Sequence, residues 1–348
     1  MAGPERIELF IDENSVESGA LKAMQTVRPS WKPDEIKFKV FTDGITNKLV
    51  GCYLEENKKD MVLVRVYGNK TELLVDRVAE IENMQILHVN GCAPELYGVF
   101  TNGLCYGYVH GVVLDTQLIR DPKVSRLNGR EMARMHHIQP ANGKIPEPSL
   151  FVKMSKYFTL IPDSFTDAEK NQRYQKEVPS TTQLQQELES LKGALLPLNS
   201  PVVFCHNDLL CKNIVYTEAE DKVTFIDYEY ASYNFQAYDI ANHFDEFAGV
   251  DEVDYSLYPD REFQLAWLRS YLQYFHADRP QPVTDREVEI LYIQVNKFAL
   301  ASHFFWGLWA LIQARFSAID FDFLDYGILR FNEYLKRKDE FLGLQLPE

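Results

Sequence analysis

The sequence has few cysteines, no long apolar run and a deficit of positive charge. Five cysteines in 348 residues, an odd number with no C-x-x-C pair, argue against a disulfide framework or a simple zinc site and point to a reducing compartment. Cys205 and Cys211 stand among Phe, His, Leu and Lys, a setting that suits buried apolar thiols. No stretch of about 18 apolar residues is present, as a membrane-crossing helix would need. The start MAGPERIELFIDENSV lacks the basic patch and apolar stretch of a signal peptide. A cytoplasmic protein without membrane insertion is therefore expected. The 36 Lys+Arg against 51 Asp+Glu give a net charge of -15. That balance disfavours nucleic acid, whose phosphates would be repelled, and suits a cationic ligand better, although many proteins are acidic merely for solubility.

The chain is long enough for about two domains, and 46% hydrophobic residues supply a large core. Residues 15–27 have helical spacing, and RPSWKPDE breaks it with two prolines. Three strands are expected at 36–42, 47–54 and 61–68, forming an antiparallel meander. A helical period covers 71–88, and APELYGVFTNGLCYGYVHG reads as a hairpin turning at Thr101, Asn102 and Gly103. After Gly111 helices dominate, near 121–138, 261–277 and 285–315, and only 201–230 returns to strands. The domain expectation is a 1–30 extension with a helix, a 31–112 nucleotide-binding lobe and a 113–348 catalytic and substrate-binding lobe. No repeat or low-complexity tract stands out, and PANGKIPEPS reads as a surface linker.

Between two apolar runs lies FCHNDLLCKNIVY, in which His206, Asp208 and Asn213 follow H-x-D-x-x-x-x-N, and FIDYEYA then adds Asp227. If the two runs pair as a hairpin, these residues come together. Phosphoryl transfer needs a carboxylate to orient a hydroxyl and take its proton, and hard oxygen ligands to hold Mg²⁺. Asp208 fits the first role, and Asn213 and Asp227 the second. Taken singly, each could equally be a turn former; the kinase-like spacing of all three favours chemistry. His206 could pack under the loop as readily as act in it. On the third strand Arg65 stands where protein kinases carry a phosphate-gripping lysine, with Glu80 the first choice of partner and Asp76 the second. FTDGITNKL lacks G-x-G-x-x-G, so phosphate contacts there would come from backbone N–H groups between Gly44 and Asn47, including Thr46.

The long blocks FCHNDLLCKNIVY, FIDYEYASYNFQAYDIANHFDEFAG and ASHFFWGLWALIQARFSAIDFDFLDY resemble the choline/ethanolamine kinases from about residue 36 to 340, with NHFDEFAG and FTDGITNKLVG closer to the ethanolamine kinases. The resemblance implies an α+β, bilobal protein-kinase-like fold, with a small antiparallel-sheet lobe and a larger, mainly helical one. It implies ATP-dependent phosphorylation of ethanolamine, the first step of the CDP-ethanolamine route to phosphatidylethanolamine. Asp208 would be the base, Asn213 and Asp227 the Mg²⁺ ligands, Arg65 and Glu80 the phosphate grip, and Val109 in GYVHG a neighbour of adenine. Glu246, Trp306, Trp309, Phe321 and Tyr326 match the pocket for the substrate's cationic head.

An aromatic box with a carboxylate is chemically a cation site. Trp306 and Trp309 would share a helix face, although HFFWGLWALI alone could be an ordinary core helix. Asp239, Asn242 and His243 are expected to tie a helix start to the loop. Phe247 and Leu210 stand where the choline branch typically has tryptophan and glutamine, which speaks against choline. Acidic Asp245 and Glu246 beside Phe247 favour an ammonium. A choline or dual kinase, an aminoglycoside phosphotransferase and a nucleotide-binding pseudokinase are the alternatives. Ethanolamine and ATP are the expected partners, and a homodimer is left open.

Overall fold

The computed structural model describes residues 3–41, 47–140, 143, 146–250 and 252–347. The chain divides into two compact units, Met1–Val112 and Val113–Glu348. The first holds β1 (Glu5–Ile7), α1 (Val16–Val27), β2 (Ile36–Phe41), β3 (Lys48–Leu54), β4 (Asn57–Val66), α2 (Arg77–Val89), β5 (Leu96–Phe100) and β6 (Gly103–Gly107). They build a six-stranded sheet of order β1-β5-β6-β4-β3-β2. The β2-β3-β4 meander is antiparallel as the alternating sequence requires, while β1 runs parallel to β5, so the sheet is mixed.

Residues 1–30, set apart in the sequence as an extension, are part of this unit. The small face of α1 buries Ala20, Ala23 and Met24 with Val50, Cys52 and Val62 of the sheet. Asn102 in the hairpin turn accepts from Ile11 N–H at 3.0 Å and donates to Ile11 O at 2.9 Å. The helical period over 71–88 is interrupted: a 3₁₀ turn at Thr71–Leu73 precedes α2. Asp76 caps α2, its carboxylate accepting from Val78 and Ala79 N–H at 3.1 Å each. A Cβ at Gly103 would collide with the Arg65 carbonyl oxygen, so glycine lets β6 close on β4 where Arg65 sits.

After β7 (Val112–Val113) at the division, the second unit holds α3 (Pro122–His136), α4 (Leu150–Tyr157), α5 (Ala168–Glu177), α6 (Thr181–Leu195), β8 (Val202–Cys205), β9 (Ile214–Thr217), β10 (Lys222–Phe225), β11 (Ser232–Phe235), α7 (Gln236–Asp245), α8 (Arg261–Phe275), α9 (Asp285–Phe316) and α10 (Phe323–Leu342). The runs flanking the polar loop do not pair as a hairpin. Instead β8 pairs antiparallel with β11, and β9 with β10. Residues 206–213 therefore cross from one small sheet to another. All five cysteines are buried and outside any disulfide, and among the described residues no helix is long and apolar enough to cross a membrane.

The long α9 is buried along most of its length. Gly307 gives α10 its close approach, because a Cβ there would lie 2.7 Å from the Phe331 ring. The helix begins in a capping box: Thr284 Oγ1 accepts from Glu287 N–H at 3.2 Å, and Glu287 Oε2 accepts from Thr284 N–H at 2.8 Å. Thr284→Ala should lower stability by about 1 kcal/mol, read as an earlier urea midpoint, with turnover preserved. An unchanged midpoint would show that packing alone fixes this helix start.

Candidate active site

The loop after β8 is held by one carboxylate. Asp239 on α7 accepts from His206 N–H at 2.9 Å and Asn207 N–H at 2.6 Å, and pairs with His136 Nε2 at 2.9 Å. Burial works against its charge, yet the His136 hydrogen bond and the nearby His206 hold its carboxyl below the usual range. Asn207 takes a left-handed backbone, φ 67°. Its side chain donates to Tyr230 O at 3.0 Å and Ser232 Oγ at 2.9 Å, and accepts from Asn234 at 2.8 Å.

His206 proves to be packed under the loop. Its Nδ1 accepts from Asp208 N–H at 3.3 Å and its Nε2 meets Ile226 O at 2.9 Å, so it links the residue before Asp227 to Asp208. His243 Nδ1 meets Leu209 O at 3.1 Å. Asp239 and His243 thus tie α7 to the loop as expected. Asn242 does not: its Oδ1 accepts from Ser302 Oγ at 2.9 Å and Trp306 Nε1 at 2.7 Å.

Asn213 Nδ2 donates to Asp208 O at 2.8 Å, and Asn213 O accepts from Ile226 N–H at 2.9 Å. Asp227 has φ 63°, a left-handed conformation that aspartate tolerates better than most residues. Asp208 is half-buried as a residue, and its carboxyl lies well above its ordinary range. Withdrawal from water is the first cause, followed by the charges of Glu246, Asp227 and Glu229, with Arg330 opposing. Four carboxylates and one guanidinium thus share this region, a setting that attracts cations.

The head-group candidates come together. Trp306 and Trp309 cross edge to face at 5.4 Å, Trp309 meets Phe323 at 5.6 Å, Phe323 meets Phe321 at 4.8 Å and Phe321 meets Tyr326 at 6.0 Å. Tyr230 extends the chain, 5.3 Å from Trp306, and its hydroxyl accepts from Trp309 Nε1 at 2.8 Å. Glu246 is buried and bonded through Oε1 to Arg330 Nη1 at 2.8 Å. Burial pushes the Glu246 carboxyl up while Arg330 pulls it down, and the net direction is up. Asp245 instead lies 3.3 Å from His303. Phe247 packs edge to face on His243 at 5.2 Å and Phe263 at 5.6 Å, so its ring belongs to a different aromatic cluster from that of the tryptophans.

Sequence reasoning missed Glu229, Tyr230, Phe323 and Arg330. For Arg330 a signal existed, since it falls four residues after Tyr326 on one helix face. In the first unit Arg65 is buried and paired with Glu80, which also accepts from Arg77 Nη1 at 2.9 Å. Asp76, the second candidate, is committed to its cap. Asn47 Oδ1 accepts from Gly68 N–H at 3.3 Å, Val109 is half-buried after β6, and Gly44 and Thr46 lie outside the described residues.

A sheet unit carrying a buried Arg–Glu pair, and a helical unit carrying the H-x-D-x-x-x-x-N loop, give a phosphotransferase of protein-kinase-like fold. The family model described as Choline/ethanolamine kinase matches residues 38–335. The chain is 55% identical over 339 residues to ethanolamine kinase 1 of Homo sapiens, covering 97% of this chain and 75% of that protein. It is 56% identical over 340 residues to ethanolamine kinase 2 of Homo sapiens, covering 98% and 86%. Among solved structures, an ethanolamine kinase of Plasmodium vivax matches with a TM-score of 0.81 at 27% identity, covering 93% and 89%. The chain belongs to the choline/ethanolamine kinase family.

The buried loop anchors make stability depend on pH. Burial pushes the His243 imidazole down to about 4 from 6.5. It is neutral when folded, whereas the unfolded chain takes up a proton below pH 6.5. Its contribution is therefore complete above that pH and is lost progressively as pH falls toward 4, by about 3 kcal/mol. His243→Gln, which cannot titrate, should show a flatter decline of stability between pH 6.5 and 4. Identical slopes in equilibrium unfolding would exclude His243 as a source of the acid sensitivity.

Proposed function

We propose that the protein transfers the γ-phosphoryl group of ATP to the hydroxyl of ethanolamine. The observation that carries this reading is the setting of Asp208: Asn213 Nδ2 donates to Asp208 O, His206 links Asp208 N–H to Ile226 O beside Asp227, and the charges of Glu246, in the aromatic cluster, and Asp227 both push the Asp208 carboxyl up. A proton acceptor, divalent-cation donors and a cation pocket are thereby within electrostatic reach of one another, and the relatives named as ethanolamine kinases supply the substrate.

Asp208 would orient the ethanolamine hydroxyl and accept its proton as the oxygen attacks phosphorus. Its raised carboxyl makes it a stronger acceptor once ionised, and a bound ammonium near Glu246 adds positive charge that favours the ionised form. The donors at Asn213 and Asp227 are hard oxygens and fit Mg²⁺, with the Asn213 amide nitrogen already spent on Asp208 O. Mg²⁺ held there would neutralise charge on the phosphate oxygens. In the first unit Arg65, fixed by Glu80, would grip the phosphates. Backbone N–H groups from Gly44 through Thr46 to Asn47 would add contacts there, and Val109 would meet adenine.

The choice between ethanolamine and choline rests on hydrogen bonding. An ammonium needs acceptor oxygens in place of water, whereas a trimethylammonium offers no N–H and relies on aromatic faces. Glu246 supplies such an acceptor beside the aromatic chain.

Two outcomes test this. Asp208→Asn keeps the loop's size and removes the proton acceptor, so kcat should fall at least about a hundredfold with ATP affinity nearly kept. Near-normal turnover would remove Asp208 as the base. In the unaltered protein, kcat/KM for ethanolamine should exceed that for choline at least about tenfold, which is about 1.4 kcal/mol of transition-state discrimination. Equal values would sink the ethanolamine assignment and leave the kinase standing.

A further inference from the structure

Three helices each contribute a pair of side chains spaced four apart to one buried polar chain. Asn242 lies in α7 and Glu246 just after its end, α9 gives Ser302 and Trp306, and α10 gives Tyr326 and Arg330. Residues at this spacing share a helix face, so each helix aims two groups at the same place. Arg330 Nη1 donates to Glu246 Oε1 at 2.8 Å and Nη2 donates to Ser302 Oγ at 3.0 Å. Ser302 Oγ in turn donates a hydrogen bond to Asn242 Oδ1 at 2.9 Å, and Trp306 Nε1 donates to that same oxygen at 2.7 Å. The guanidinium also lies 3.5 Å from the Tyr326 hydroxyl. Both Arg330 and Glu246 are buried.

We propose that Arg330 is a specificity-positioning residue: through Ser302 and Asn242 it locks the Glu246 carboxylate and the Trp306 indole into one rigid unit that presents Glu246 Oε2 to the N–H groups of a primary ammonium. This deepens the ethanolamine kinase reading and rests on it. The Glu246–Arg330 pair is neutral as a whole, so it adds little general attraction for a cation. It contributes instead an acceptor of fixed direction, and planar guanidinium geometry sets that direction as a lysine would not. A substrate with N–H donors gains from such an acceptor, and a fully methylated cation gains little. If Arg330 is removed, the carboxylate loses its orientation and also the cation that most strongly opposes the effect of burial on its ionisation, His303 being the weaker one.

The test is a double-mutant cycle with Arg330→Met, Glu246→Gln and the combination, read with both ethanolamine and choline. Arg330→Met should raise KM for ethanolamine at least about tenfold, with a smaller change in kcat and a smaller change in KM for choline. In the Glu246→Gln background the same change should add less than about twofold, because its effect runs through the carboxylate. Equal losses for both substrates, or a full loss persisting in the Glu246→Gln background, would make Arg330 merely structural and overturn the proposal. Should Arg330→Met fail to fold, Arg330→Lys carries the test: it keeps the charge without the two-pronged reach, so KM for ethanolamine should rise about threefold or more, and choline should be nearly unaffected. An unchanged ethanolamine KM in folded Arg330→Lys would also overturn it. A wild-type protein without preference for ethanolamine would fail the functional reading itself. Intact wild-type preference with the wrong variant pattern would fail only the role of Arg330.

Discussion

One buried carboxylate, Asp239, sets the geometry on which the second unit's site depends. Taking a carboxylate out of water is costly unless its oxygens are fully engaged. Here two loop N–H groups and the His136 ring engage them. The same α7 face then carries Asn242, His243 and, just beyond its end, Glu246, at spacings of three, four and seven residues from Asp239. The helix therefore works as a ruler: one end fixes the backbone of the loop bearing Asp208, and the other fixes the carboxylate of the aromatic cluster. The left-handed backbone at Asn207 is tolerable because both ends of its amide are satisfied.

Each unit carries its own cluster of buried charges. In the first, Arg65 and Arg77 both pair with the Glu80 carboxylate. In the second, the charges of Glu246, Asp227 and Glu229 push the Asp208 carboxyl up and that of Arg330 opposes them. The net charge of -15 reports neither. It averages over local fields that a neutral protein could carry equally well.

The elements with strong periodicity were legible in the sequence: the meander, the 101–103 turn, and the long helices near 261–277 and 285–315. The family was legible because its blocks are long and specific. Less legible was anything decided by contacts distant in the chain. The polar loop was expected inside a hairpin, but β8 finds its partner at 232–235 because Asp239, not a turn, organises the intervening segment. Residues 5–27 looked separate because their partners, Asn102 and the inner strands, lie far along the chain. Phe247 stands next to Glu246 in sequence and in a different aromatic cluster in space, since the two lie in a 3₁₀ turn, where adjacent residues point about 120° apart. Glu246 was read as the pocket's carboxylate without its partner, 84 residues away.

That partner changes what the pocket can discriminate. Ethanolamine and choline carry the same charge, so no amount of negative potential separates them; the site must distinguish N–H donors from methyl groups. A lone buried carboxylate would do this poorly, because burial favours its neutral form and leaves its orientation loose. Pairing it with an equally buried arginine adds little to stability, since desolvating two ions cancels most of their attraction. What the pair supplies is direction: Arg330 holds Oε1, and in the proposed role Oε2 is the oxygen offered to a donor. Trp306 is pinned by the same chain of hydrogen bonds, through Asn242. The aromatic face that either cation can use and the acceptor that only an ammonium needs are therefore fixed relative to each other, as a difference of affinities between two equal charges requires.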